Sequence, residues 1–184
     1  MTLTIDTTLS LELLDDSHAE CIFELINANR VHLREWLPWV IKIQTIEHFR
    51  EYIIGHQVRF IDNSDVSFVI IHEGKVAGRI GVYNIDSINK IGSVGYWLGQ
   101  DFIGKGIAFR SCEQILSYCF SVLFLNRVEI KCATKNSKSQ AIPLKLNFKN
   151  EGIIRQAEFI HNEYIDLYCY SMLKQEWELA QKQK

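Results

Sequence analysis

A β-rich run over residues 94–98 passes through a short polar segment into the paired-glycine turn Gly104-Lys105-Gly106. Beyond the turn, apolar residues fall at Ala108, Cys112, Ile115, Leu116, Cys119, Phe120 and Leu123, the spacing of one helix face. A strand, a Gly-x-Gly turn and a helix in that order leave few folds open. The glycines let the backbone approach a ligand closely, and the first-turn N–H groups point outward with partial positive charge. The pattern therefore predicts a phosphate or pyrophosphate site. An ordinary βα turn with nothing bound has the same local pattern.

The surrounding chain fits one packed domain over residues 1–184, 47% hydrophobic with Trp 4, Phe 10 and Tyr 7. A net charge of −2 gives no electrostatic case for a nucleic-acid partner. Residues 1–6 lack a basic, apolar secretory leader, and no run approaches the roughly 18 apolar residues of a membrane span. The five cysteines have no CxxC spacing, and three in strongly periodic apolar contexts read as small buried hydrophobes in a reducing cytoplasm. Histidines unpaired at three or four residues predict no zinc site, and no metal is expected.

Read in order, residues 8–14 alternate as a strand. Ser17 and Glu20 fit a capping box for a helix with Ala19, Ile22, Phe23 and Ile26 inward. In the aromatic-rich segment over 30–39, Pro38 stops any helix by Leu37. Thr45 caps a helix to about Ile61, with Ile46, Phe49, Ile53 and Phe60 inward. Residues 67–72, 76–84 and 91–98 form an antiparallel meander. The strand at 126–132 completes a parallel βαβ unit with the glycine-turn helix. A short helix from Asn136, strands at 151–155 and 166–171, and a polar helical tail from Lys174 follow. The expected class is α/β, a mixed and mostly antiparallel central sheet flanked by helices.

Three phosphate signatures bear on the turn. The dinucleotide pattern GxGxxG fails at Phe109. Gly99, Gly104 and Lys105 satisfy part of a P-loop, but Gly106 stands where a magnesium-binding Ser or Thr is required. The third pattern, Ile103-Gly104-Lys105-Gly106-Ile107-Ala108, resembles the acetyl-CoA loop Q/R-x-x-G-x-G/A of the GNAT acetyltransferase superfamily, with Ile103 replacing the usual Gln or Arg. The resemblance extends to Gly95-Tyr-Trp-Leu-Gly99, Leu125-Asn-Arg-Val-Glu-Ile-Lys-Cys132, Asn136-Ser-Lys-Ser139, Asn147-Phe-Lys-Asn-Glu-Gly-Ile153 and Ala157-Glu-Phe-Ile-His-Asn-Glu-Tyr-Ile-Asp166. With His32-Leu-Arg-Glu-Trp-Leu-Pro-Trp39, these blocks are similar to the branch containing bacterial ribosomal-protein α-amino acetyltransferases. Asn147 departs from a common glycine, yet asparagine also tolerates left-handed geometry.

The resemblance implies a GNAT fold with a splayed strand pair and acetyl-CoA as co-substrate. Backbone groups of Trp97 and Leu98 would bind the pantetheine arm and the thioester carbonyl. Ile103, Gly104, Lys105, Gly106, Ile107 and Ala108 would hold the pyrophosphate. Asn136 would contact the pantetheine arm, Ser139 would protonate the leaving sulfur, and Glu158 would be the general base. Ser139 also fits a helix N-cap, and Glu158 a solvated residue between strands. Arg34 and Trp36 are candidates for the acceptor site, although each tryptophan also suits core packing. Cys112, Cys119 and Cys132 read as packing residues, not nucleophiles.

The expected activity is direct N-acetyl transfer to a primary amine, foremost the N-terminal amine of a ribosomal protein, in the cytoplasm. The branch also admits a homodimer. Two rivals stay open: a small-molecule acceptor such as a polyamine, amino sugar or antibiotic, and a non-catalytic acyl-CoA-binding module.

Overall fold

The structure, a computed structural model, describes residues 1–182, so the last residues of the expected polar tail lie outside the described part. Its elements are β1 (Thr2–Thr4), β2 (Leu9–Leu13), α1 (Ala19–Ala28), α2 (Arg30–Arg34), α3 (Ile46–Ile61), β3 (Val66–His72), β4 (Lys75–Asp86) and β5 (Ile91–Leu98). There follow α4 (Ile107–Ser121), β6 (Arg127–Ala133), α5 (Ser137–Lys145), β7 (Lys149–Ile160), β8 (Glu163–Leu173) and α6 (Lys174–Gln181). The strands make one eight-stranded sheet in the order β1-β2-β3-β4-β5-β6-β8-β7. Only β5 and β6 run parallel, as the α4 crossover requires.

Each face of the sheet carries its own core. On one side Phe68, Ile80, Val82, Val128 and Tyr170 pack with the α4 residues Ile107, Cys112, Ile115 and Cys119. On the other, Val69 packs against Ala19, Ile22 and Ile26 of α1 and Phe49 and Ile53 of α3. Neighbouring residues Phe68 and Val69 thus serve opposite cores, as strand alternation dictates. Among the described residues no helix is long and apolar enough to cross a membrane.

Three local expectations are corrected. Asp15 caps the 3-10 turn 16–18 that leads into α1, its carboxylate accepting from the Ser17 N–H at 3.0 Å, and α1 itself follows His18 without a side-chain cap, so the Ser17–Glu20 box does not form. On α3 the inward position after Ile53 is His56, 4% exposed, whereas Phe60 is 40% exposed. The 30–39 segment opens with the short helix α2, which ends before the stop that Pro38 sets. Strands β7 and β8 run well beyond the expected 151–155 and 166–171 and close at His161 and Asn162, both left-handed.

Candidate active site

β5 and β6 pair only at Ile91↔Arg127, Gly92↔Val128 and Ser93↔Glu129, then part. β5 remains paired to β4 as far as Leu98, and β6 to β8 as far as Ala133, so the sheet is intact on both sides of the opening. Backbone groups on the facing edges of residues 94–98 and 130–132 are left toward the gap, where they need partners, while the Ala133 carbonyl accepts from the Asn136 N–H and Gln140 Nε2. This is the splay that the resemblance implied. It places Trp97 and Leu98 on one lip.

The glycine turn leaves the C-terminal end of β5 beside that opening, where ligands of parallel strand pairs commonly sit. Gly104 (φ +81) and Gly106 (φ +73) are both left-handed, a conformation other residues adopt at a cost. Gly106 is the N-cap of α4 and supplies no side-chain cap. The first helical bond runs from the Arg110 N–H to the Gly106 carbonyl at 3.1 Å, so the earlier amides are the open donors of a helix start. A Cβ placed on Gly104 or Gly106 would meet nothing within 4 Å. Open space above unclaimed amide donors suits a pyrophosphate. Ile107 is 1% exposed and anchors the turn in the core, while Ile103 is half-buried and brings no charge.

The segment before the turn is pinned from outside. The Gln100 N–H donates to Asn29 Oδ1 at 2.8 Å, and a Cβ on Gly99 would lie 2.8 Å from Leu25 Cδ1. Gly99 therefore serves a close approach to α1, and residues 100–102 form a 3-10 turn in place of a P-loop.

Across the gap, Asn136 caps α5 by accepting the Ser139 N–H at 3.0 Å. This overturns Ser139 as the N-cap: it stands in the first turn and its hydroxyl is turned elsewhere. Ser139 Oγ lies 3.3 Å from Cys132 Sγ and 3.5 Å from the Tyr96 hydroxyl. Tyr96 in turn donates to the Ser139 carbonyl at 2.9 Å. Burial holds the Tyr96 phenol protonated far above its ordinary range and pushes the Cys132 thiol up to about 11. The cluster is thus made of neutral donors, suited to delivering a proton and unsuited to thiolate attack. Cys132 is buried as a packing residue would be, and also touches Ser139. Tyr96 was missed as a site residue. A phenol on an apolar strand face, needing a hydroxyl partner, was the available signal.

Glu158 lies in β7 opposite Ile165, so it is a strand residue and not one between strands. Every β7 residue before it is exposed, whereas Glu158 is half-buried, and burial raises its carboxyl above the ordinary value. Trp36 lines a cavity of about 230 Å³ with Thr134, Lys135, Gln156, Tyr164 and Asp166. Arg34 is exposed and does not line it. Trp97 and Trp39 meet at 6.0 Å between ring centroids, on the face covered by α1 and α3. A larger cavity of about 570 Å³ lies among α4, α5 and α6, and none of the residues assigned to the chemistry lines it. Among the described residues no cluster of His, Cys, Asp and Glu is placed to hold a metal ion.

Residues 8–149 match the acetyltransferase (GNAT) domain family. The chain is 34% identical to the putative ribosomal N-acetyltransferase YdaF of Bacillus subtilis (strain 168), covering 96% of this chain and 97% of that one. It is 30% identical to the ribosomal-protein-serine acetyltransferase of Escherichia coli (strain K12), covering 94% and 98%. Among solved structures it is similar to RimL, a ribosomal α-N-protein acetyltransferase in complex with coenzyme A, with a TM-score of 0.91 at 27% identity over 94% of this chain and 98% of that one.

Proposed function

The chain belongs to the GNAT acetyltransferase family, and on that premise we propose that it moves the acetyl group of acetyl-CoA to the N-terminal α-amine of a ribosomal protein. The observation that carries the reading is the gap between β5 and β6, with the Gly104–Gly106 turn beside it and the Ser139 hydroxyl on its far wall. Full-length similarity to ribosomal-protein acetyltransferases supports the acceptor class.

In this reading the amides of residues 104–108 hold the pyrophosphate, and the half-buried Ile103 packs without contributing charge. Backbone groups of Trp97 and Leu98 direct the thioester carbonyl, an arrangement that stabilises oxyanion character as it develops. Asn136 Oδ1 is committed to the Ser139 N–H, so contact with the pantetheine arm falls to its Nδ2. The amine nitrogen attacks the carbonyl carbon and the carbon–sulfur bond breaks. Ser139 gives its proton to the departing sulfur, Glu158 takes the proton the amine sheds, and exchange through solvent returns that proton to Ser139, restoring both side chains. Trp36 and the cavity beside it receive the acceptor's first residues, with Arg34 at the outer rim.

Magnitudes favour an α-amine. Freeing a terminal amine of pKa about 7.7–8.0 near pH 7.5 costs a few tenths of a kcal/mol, whereas a lysine at about 10.4 costs about 4 kcal/mol. A single half-buried carboxylate suffices for the first. The enzyme and its ribosomal substrate would share the cytoplasm.

The test is incubation with acetyl-CoA and a panel of peptide N-termini, lysine peptides and polyamines, following thiol release. Acetylation of N-terminal peptides alone is expected. Turnover confined to polyamines would overturn the acceptor assignment, and acetyl-CoA binding without any turnover would overturn the enzymatic one.

A further inference from the structure

The β7–β8 hairpin has a discontinuity directly before Glu158. Its register runs Ile154↔Leu167 and then Glu158↔Ile165, so residues 155–157 stand opposite Asp166 alone. Two residues are therefore in excess on β7. At the apex Gln156 is left-handed, φ +51, and its N–H donates to Asp166 Oδ1 at 2.8 Å. The Asp166 carbonyl accepts the Thr134 N–H at 3.0 Å, just past the end of β6. One residue thus ties the bulge to the strand that forms a wall of the gap.

The bulge decides where Glu158 stands. If the ladder continued regularly from Ile154↔Leu167, position 156 would face 165 and position 158 would face Glu163. Glu158 would be displaced along the sheet by two residues, about 7 Å at the usual strand rise, and would confront a second carboxylate. Proton transfer needs heavy atoms within about 3 Å, so such a displacement would remove a base from its task. The change in environment falls at the same point: β7 is exposed through Ala157, and Glu158 is its first shielded residue. Bulges commonly re-aim a side chain in this way beside active sites.

We propose that Asp166 is a positioning residue for the reaction: its carboxylate holds the Gln156 bulge, and the bulge sets Glu158 opposite Ile165 where it can accept the amine's proton. The inference rests on Glu158 as the base. Asp166 and Gln156 also line the cavity with Trp36, so the same bulge shapes the acceptor side.

Steady-state kinetics with acetyl-CoA and an N-terminal peptide test this on the full chain. Asp166→Ala should lower kcat about tenfold, in line with the cost of a small misplacement, with the KM for acetyl-CoA unchanged. Asp166→Asn keeps an oxygen for the Gln156 N–H and should restore near-normal kcat. Asp166→Glu keeps the charge but lengthens the arm, and should fail as alanine does. In a Glu158→Gln background, Asp166→Ala should cost nothing further, because it acts through Glu158. An unaffected kcat in Asp166→Ala, or full multiplicative loss in the double variant, overturns the positioning role while leaving Glu158 as base. If Glu158→Gln itself leaves kcat unchanged, the base assignment falls and the positioning role with it.

Discussion

The Tyr96 hydroxyl donates to the Ser139 carbonyl at 2.9 Å and lies 3.5 Å from Ser139 Oγ, joining the two walls that part beyond Ser93 and Glu129. β5 and α5 face each other across the gap, and this phenol fixes how far the serine stands from the strand that would present the thioester.

Tyr96→Phe removes the tether without changing the ring. The loss of one net hydrogen bond costs about 1 kcal/mol of stability, which lowers Tm by a few degrees. The kinetic effect should be confined to kcat, with acetyl-CoA affinity by calorimetry unchanged, because the glycine turn is untouched. Ser139→Ala should lower kcat more, and adding Tyr96→Phe to it should cost little. Independent, multiplying losses would show that the tyrosine acts elsewhere.

Gly106 tests the cofactor loop by a different route. Alanine at φ +73 carries about 1–2 kcal/mol of backbone strain, and its methyl group would project into open space without a clash. Valine adds branching to the same strain. The expected result is a folded protein with modestly lowered Tm and at least about tenfold weaker acetyl-CoA binding, since the side chain fills the volume over the amide donors. Unimpaired binding in both variants would remove the loop from the pyrophosphate site.

The scaffold of this site was largely readable from residues alone, because its elements bury a face. β5 spans Ile91–Leu98 as expected, and α4 buries Cys112, Ile115, Leu116 and Cys119 as their spacing required. Thr45 caps α3 by accepting the His48 N–H, and Asn147 is left-handed, as its place after α5 demanded. What stayed hidden lacked periodicity. β1 has three residues, and β7 is an edge strand, exposed along most of its length and broken by bulges that erase the period of two. The role of Asp166 depends on a pairing across the hairpin, which no local pattern announces. His56 was passed over for Phe60 because residue type outweighed position, although 49, 53 and 56 make the better helical series.

His56 gives a prediction about acid stability. Burial, reinforced by Arg79 and then Arg59, lowers its pKa from 6.5 to about 3. Between those values the unfolded chain binds a proton that the folded protein refuses, so stability falls as pH drops through that window. His56→Gln cannot titrate. It should start less stable near neutral pH, having lost its contact with the Tyr52 hydroxyl, but its Tm should decline less steeply below about pH 6.5. Thermal scans across that range decide it, and parallel curves for the two proteins would contradict the assignment.

Glu158 separates the demands of stability from those of catalysis. Its carboxyl is raised above the ordinary value of 4.5 by burial, so the folded protein holds the proton more tightly than the unfolded chain does. The sign is opposite to that of an ion-paired acid: this group favours folding below 4.5, and the benefit is lost as pH rises through the folded value. Above that folded value the carboxylate is ionised at some cost to stability. Glu158→Gln relieves that cost, so its Tm near neutral pH should equal or exceed that of the parent. Its kcat should nevertheless fall by about 100-fold, the usual scale for losing a general base. The acid limb of the kcat/KM profile, displaced above the ordinary carboxylate range in the parent, should vanish in the variant. Lower stability together with unchanged kcat would identify Glu158 as a structural residue and move the search for the base to the Trp36 cavity.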